Sequence, residues 1–135
     1  MKDIDGKTLK LNDQLTLIAV EESGTILDIE RRCYYDLNDT AFFLVRQLEE
    51  GCGYQSLTAE LFSEFDVSEE TAHSDIDMFV NELVKRDLVV IKEGEEASVN
   101  IRSRKPGLKL YQSPALECQR ELNVAAANGA FTAVN

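Results

Sequence analysis

The hydrophobic pattern of this chain changes period at Asn38. Before that point apolar residues sit in short runs rich in β-branched and aromatic side chains, the signature of strands. The runs are Gln14–Val20 (QLTLIAV), Gly24–Ile29 and Cys33–Leu37. Glu21-Glu22-Ser23-Gly24 separates the first two, and Glu30-Arg31-Arg32 turns the second into the third. Leu9 to Asp13 reads as a lead-in. After Asn38 the apolar positions fall at Ala41, Leu44, Val45 and Leu48, spacings of three and four that make one face of a helix. Asn38 or Asp39 supplies a side-chain oxygen for the free amides at its start, and Gly51 stops it after about Glu50.

Two further helices follow. One starts at Ser56 or Thr58 and runs to about Phe65. The next is capped by Ser68, with Glu69 and Glu70 in the first turn, where the helix dipole favours carboxylates. Its stripe is Ala72, Ile76, Phe79, Val80 and Leu83, and it ends near Arg86-Asp87. Leu88–Lys92 is a last short strand. The sum is an α+β domain, a three-stranded antiparallel sheet followed by three helices. A sheet that feeds a helix leaves an edge beside it, and an open edge is a site for an incoming peptide strand.

The pattern fades after Glu93. We divide the chain into a domain at 1–93, a linker at 94–108 and a tail at 109–135. The linker holds Arg102-Ser103-Arg104-Lys105-Pro106-Gly107, and the tail ends in small, Ala-rich sequence without a core of its own. From Glu93 to Lys109 a flexible chain typically reaches on the order of 20–25 Å. That is enough to fold back onto the same domain or to reach a neighbour.

Charge narrows the function classes. The net charge is −11 over 135 residues. Residues 1–100 carry 23 acids and 9 bases, net −14, whereas residues 101–135 carry 2 acids and 5 bases, net +3. Such a domain repels nucleic-acid phosphates and attracts a basic peptide or protein face. Asp75 and Asp77 on the third helix suit a basic ligand or a solvated face equally well, and Asp77, Asn81 and Lys85 form a polar row beside the apolar stripe. Cys33, Cys52 and Cys118 have no paired spacing and no export signal precedes them, so we expect reduced thiols and a cytoplasmic setting. His73 has no evident partner. No phosphate loop, catalytic triad or paired metal ligands occur, and we expect no cofactor, no metal, no membrane span and no catalysis.

Taken in order and at these distances, several segments resemble the PqqD family, the winged-helix-like domains called RiPP recognition elements. They are the hairpin with Leu27 and Ile29, Tyr34-Tyr35-Asp36-Leu37-Asn38, the Leu57–Phe65 helix, the Phe65-Asp66-Val67-Ser68 corner, the Asp75–Leu83 face and Leu88-Val89-Val90. Ala41 and Phe42 stand where the family usually has a Gly. The resemblance spans about residues 14–92. It implies a non-catalytic domain that binds the leader of a ribosomally made precursor peptide and hands it to a modifying enzyme or leader peptidase. It implies strand addition along Cys33, Tyr34, Tyr35, Asp36 and Leu37, with the leader lying against Asp75, Ile76, Phe79, Val80 and Leu83. By strand alternation Cys33, Tyr35 and Leu37 share one face, and Tyr34 and Asp36 the other.

The tail adds a second resemblance. Tyr111-Gln112-Ser113-Pro114-Ala115-Leu116 is similar to the Tyr-x-x-Pro-x-Leu motif of lasso-peptide precursor leaders. Arg120 and Ala126 stand where such leaders usually carry Gly and Thr. Pro114 fixes its own φ and biases Ser113 to an extended conformation, while Tyr111 and Leu116 supply two anchors. The expected occupant of the groove is this segment, in cis or in a swapped dimer, or a separate precursor. The alternative function is a winged-helix DNA-binding regulator reading with the third helix, which Glu69, Glu70, Asp75, Asp77 and Glu82 make acidic; a general interaction adaptor is the third.

Overall fold

Ten elements build the domain in a computed structural model, which describes residues 7–21, 23–92 and 107–119. In chain order they are β1 (Thr8–Leu11), β2 (Thr16–Val20), β3 (Ser23–Asp28), β4 (Cys33–Leu37), α1 (Asp39–Leu48), β5 (Cys52–Gly53), α2 (Tyr54–Glu64), α3 (Glu69–Lys85), β6 (Val89–Lys92) and β7 (Leu116–Gln119). They form two antiparallel sheets, one in the order β5-β1-β6 and one in the order β2-β3-β4-β7. The fold class is the expected α+β arrangement with three helices, but the strand count differs. The three-stranded sheet has a fourth strand, β7, contributed by the tail. The segment read as a lead-in overlaps β1, the centre of the smaller sheet, with Leu9 and Leu11 buried and Lys10 half-buried.

Local chemistry explains the boundaries. At the β3–β4 turn the buried Asp28 accepts the Arg31 amide at 3.1 Å, and Arg32 takes a left-handed φ of 59°. Asn38 caps α1 by accepting the Ala41 amide at 2.9 Å. Ser68 does the same for Thr71 at 3.1 Å in α3. The first helix closes at Leu48, short of Glu50, and the chain leaves through Gly51 at φ 101°. The second starts at Tyr54, earlier than Ser56 or Thr58. Its N-cap is Gly53, which offers no side-chain acceptor, while Tyr54 is buried: packing sets this start, not a cap.

All three helices turn their stripes onto one core. Leu44, Val45 and Leu48 of α1, Leu57 and Leu61 of α2, and Ala72, Ile76, Val80 and Leu83 of α3 are buried together with Leu9, Ile26, Tyr35, Leu37 and Leu88. Gly24 marks where β3 touches α1: a Cβ there would lie 2.5 Å from the Phe42 ring and 2.7 Å from the Ile18 carbonyl oxygen. Among the described residues no helix is long and apolar enough to cross a membrane. The linker at 94–108 falls mostly outside the described residues, as do 120–135.

Candidate functional site

β4 has two edges. One pairs with β3, and the other carries β7 with Tyr34 opposite Gln119, Tyr35 opposite Cys118, Asp36 opposite Glu117 and Leu37 opposite Leu116. Cys33, Tyr35 and Leu37 face the core, Tyr34 is half-buried and Asp36 is exposed, the alternation expected of the strand. Burial, then its hydrogen bond with Cys33 Sγ at 3.7 Å, pushes the Tyr35 phenol up to about 12. The Arg86 guanidinium lies 5.8 Å from the centre of the same ring.

Upstream of β7 the tail runs extended past the start of α1. Asn38 holds it on three sides: its amide N–H donates to the Ala115 carbonyl at 3.2 Å, its Oδ1 accepts the Ala115 amide at 3.1 Å, and its Nδ2 donates to the Ser113 carbonyl at 2.8 Å. Pro114 lies between those two residues, so its missing N–H leaves no bond unmade. Asp75 of α3 receives the Tyr111 hydroxyl at 2.6 Å and the Ser113 hydroxyl at 3.0 Å. Burial, and next the bond to the Asp75 carboxylate, raises the Tyr111 phenol well above its ordinary value.

The Tyr111 ring meets Phe65 edge-on at 6.1 Å, and Phe65 meets Phe43 at 5.3 Å. Where α2 ends, Lys109 donates its amide to the Glu64 carbonyl at 3.0 Å and accepts the Asp66 amide at 2.9 Å. Its ammonium lies 3.5 Å from the Glu64 carboxylate and 5.9 Å from the Phe65 ring centre. Further along, Ser113, Pro114 and Leu116 share a cleft of about 210 Å³ with Asp75, Met78, Phe79 and Glu82.

The structure thus pairs Tyr34, Tyr35, Asp36 and Leu37 with Leu116–Gln119 and brings Asp75 and Phe79 beside Tyr111, Pro114 and Leu116, whereas Cys33 pairs with Asp28 of β3 and lies outside the described β4–β7 pairing. Ile76, Val80 and Leu83 lie one helical row away, fully buried in the core, so their part is to support the groove from beneath. Among the described residues the row Asp77, Asn81 and Lys85 makes no bond to the tail, and His73 is exposed. Sequence reasoning missed Asn38 as a ligand group, along with Phe65, Met78 and Glu82. Only Asn38 carried a signal: a cap that uses Oδ1 has a spare Nδ2 donor. No cluster of three His, Cys, Asp or Glu side chains suited to a metal occurs among the described residues.

Residues 24–89 match the family model of coenzyme PQQ synthesis protein D (PqqD). Two solved structures are similar in fold. One is described as "TbiB1 in Complex with the TbiA(beta) Leader Peptide", 19% identical, covering 67% of this chain and 99% of that one, with a TM-score of 0.56. The other, "Lasso peptide synthetase B1 complexed with the leader peptide", is 26% identical and covers 61% of this chain and 96% of that one, with a TM-score of 0.54. No curated protein matches the chain significantly in sequence.

Proposed function

We propose that this chain, whose residues 24–89 match the PqqD family model, binds the leader segment of a ribosomally synthesised precursor peptide by strand addition on β4. One observation carries the reading. The edge of β4 is already filled by an extended segment of the Tyr-x-x-Pro-x-Leu type, in register, with its Tyr on Asp75 and its backbone on Asn38. Both similar solved structures hold leader peptides.

Affinity comes from the backbone ladder, and selection comes from the places where side chains are received. Tyr34, Tyr35, Asp36 and Leu37 supply the ladder, and Cys33 begins the strand that carries it. Asp75 reads the Tyr hydroxyl, Phe65 its ring, and Phe79 with Met78 the Pro and Leu. The protein acts by holding and presenting its ligand to a modifying enzyme or leader peptidase, with no bond made or broken on it. Residues 109–118 act as a leader-like occupant of the groove in cis. The acidic face of α3 gives the DNA-binding alternative no support.

The test uses the full chain carrying Tyr111→Ala and Leu116→Ala, which frees the groove. It is titrated by fluorescence anisotropy with a labelled peptide of residues 107–119. Saturable binding is expected, and it is lost when the peptide itself carries Tyr111→Ala and Leu116→Ala. Equal binding of both peptides, or of neither, overturns the reading.

A further inference from the structure

One contact of the docked tail is mismatched. Glu117 stands directly opposite Asp36 across the β4–β7 ladder, and both side chains are exposed on the same face of the sheet. Side chains at directly opposed positions lie roughly 5 Å apart at Cβ, and like charges there repel. Thr25, the neighbour of Asp36 on β3, donates its hydroxyl to Asp36 Oδ1 at 3.2 Å, which fixes the carboxylate within this row. Among the described residues no cation pairs with Asp36 or Glu117. The other tail contacts are complementary. Two hydroxyls donate to Asp75, Lys109 faces Glu64, and Leu116 stands opposite Leu37.

We propose that Asp36 selects a cation, Lys or Arg, at the leader residue directly after the motif's Leu, so that the chain's own tail is a weaker occupant than a leader carrying that cation. The inference rests on the leader-binding reading and adds to it the charge of the preferred ligand at one position. The physics is the difference between a repelling and an attracting pair in the same geometry. Each is worth a fraction of the binding free energy, and together they separate the two ligands by on the order of tenfold in affinity. Both groups are exposed, so added salt shrinks the gap.

The experiment uses the full chain with Tyr111→Ala and Leu116→Ala and four labelled peptides of residues 107–119: the native sequence, Glu117→Gln, Glu117→Lys and Tyr111→Ala. The expected order of affinity is Lys above Gln above Glu, with Lys and Glu differing on the order of tenfold at low salt and converging toward 1 M salt. Adding Asp36→Asn to the chain flattens the order, and Asp36→Lys reverses it. That response separates a local pair from the general pull of an acidic protein on a cationic peptide. An unchanged order in the Asp36 variants, or a flat order in the parent, overturns the inference while the Tyr111→Ala peptide still fails to bind. If the Tyr111→Ala peptide binds as well as the native one, or no peptide binds, the leader-binding reading falls and this inference with it.

Discussion

Asn38 serves two structures with one amide group. Its Oδ1 caps α1 and also accepts the Ala115 amide, while its Nδ2 donates to the Ser113 carbonyl. Asp and Asn cap helices about equally well, so Asn38→Asp separates the roles. We expect it to leave thermal stability nearly unchanged and to weaken docking of the 107–119 segment, because a carboxylate oxygen then faces the Ser113 carbonyl. Asn38→Ala loses both, with about 1 kcal/mol of stability going with the cap. Melting curves read the first effect and peptide titration the second. Tyr111 adds a pH dependence of stated sign. Its phenol is raised above the ordinary value of 10.0 when docked, so its contribution is complete below pH ~10 and is lost as pH climbs through the range above it. Tyr35, pushed up to about 12, brings an alkaline loss to the domain as well, in the window from about 10 to 12. Anisotropy from pH 8 to 11 divides the two. Weakening of the native peptide above pH 10 disappears with a Tyr111→Phe peptide if the docked phenol is its source, and persists if Tyr35 is. At neutral pH that Phe peptide binds more weakly by roughly 1.5–3 kcal/mol, the worth of a hydrogen bond to a charged acceptor.

At the scale of elements, the helices and the hairpin were legible because each carries its information locally. The stripe Ala72, Ile76, Phe79, Val80, Leu83 and the caps at Asn38 and Ser68 need no partner to be read. β1 was not legible. It has four residues, and its partners β5 and β6 come from far along the chain, so only tertiary pairing makes it a strand. β7 was legible only through the family resemblance, which implies strand addition at β4: Leu116-Glu117-Cys118-Gln119 has no strand pattern alone and is extended because the β4 edge orders it. The candidate site was half legible. The strand and Asp75 followed from the family resemblance, but a helical stripe does not say which of two adjoining rows faces a groove, and so Ile76, Val80 and Leu83 were read with it. Gly24 was read as a turn residue, yet what demands it is the β3–α1 approach. Its φ is ordinary, but an added methyl would press on Phe42 and on the Ile18 backbone. Gly24→Ala is therefore expected to destabilise the domain by about 1–3 kcal/mol, as overpacking does. A midpoint shift in urea unfolding measures it, and an unchanged midpoint would mean that β3 and α1 separate at little expense.

For the whole molecule the decisive quantity is how firmly the tail closes its own groove. A domain of net −14 and a following segment of net +3 favour closure, and Lys109 against Glu64 is a local instance of that attraction. Tethering matters more than charge. A linker of the length of residues 94–108 typically gives an effective concentration of roughly millimolar. If the free segment bound with a Kd of about 10 μM, only about 1% of grooves would stand open at any moment. A labelled 107–119 peptide should then bind the wild-type chain roughly a hundredfold more weakly than the chain whose tail carries Tyr111→Ala and Leu116→Ala. The same competition distinguishes closure in cis from a swapped dimer. Cis closure is independent of protein concentration, so dilution leaves the apparent affinity fixed. A swapped pair opens on dilution, and the wild-type chain would then approach the freed chain in affinity as its concentration falls. Equal affinity of the two chains at every concentration would mean that the docked arrangement of Tyr111 on Asp75 and β7 on β4 is not the dominant state in solution.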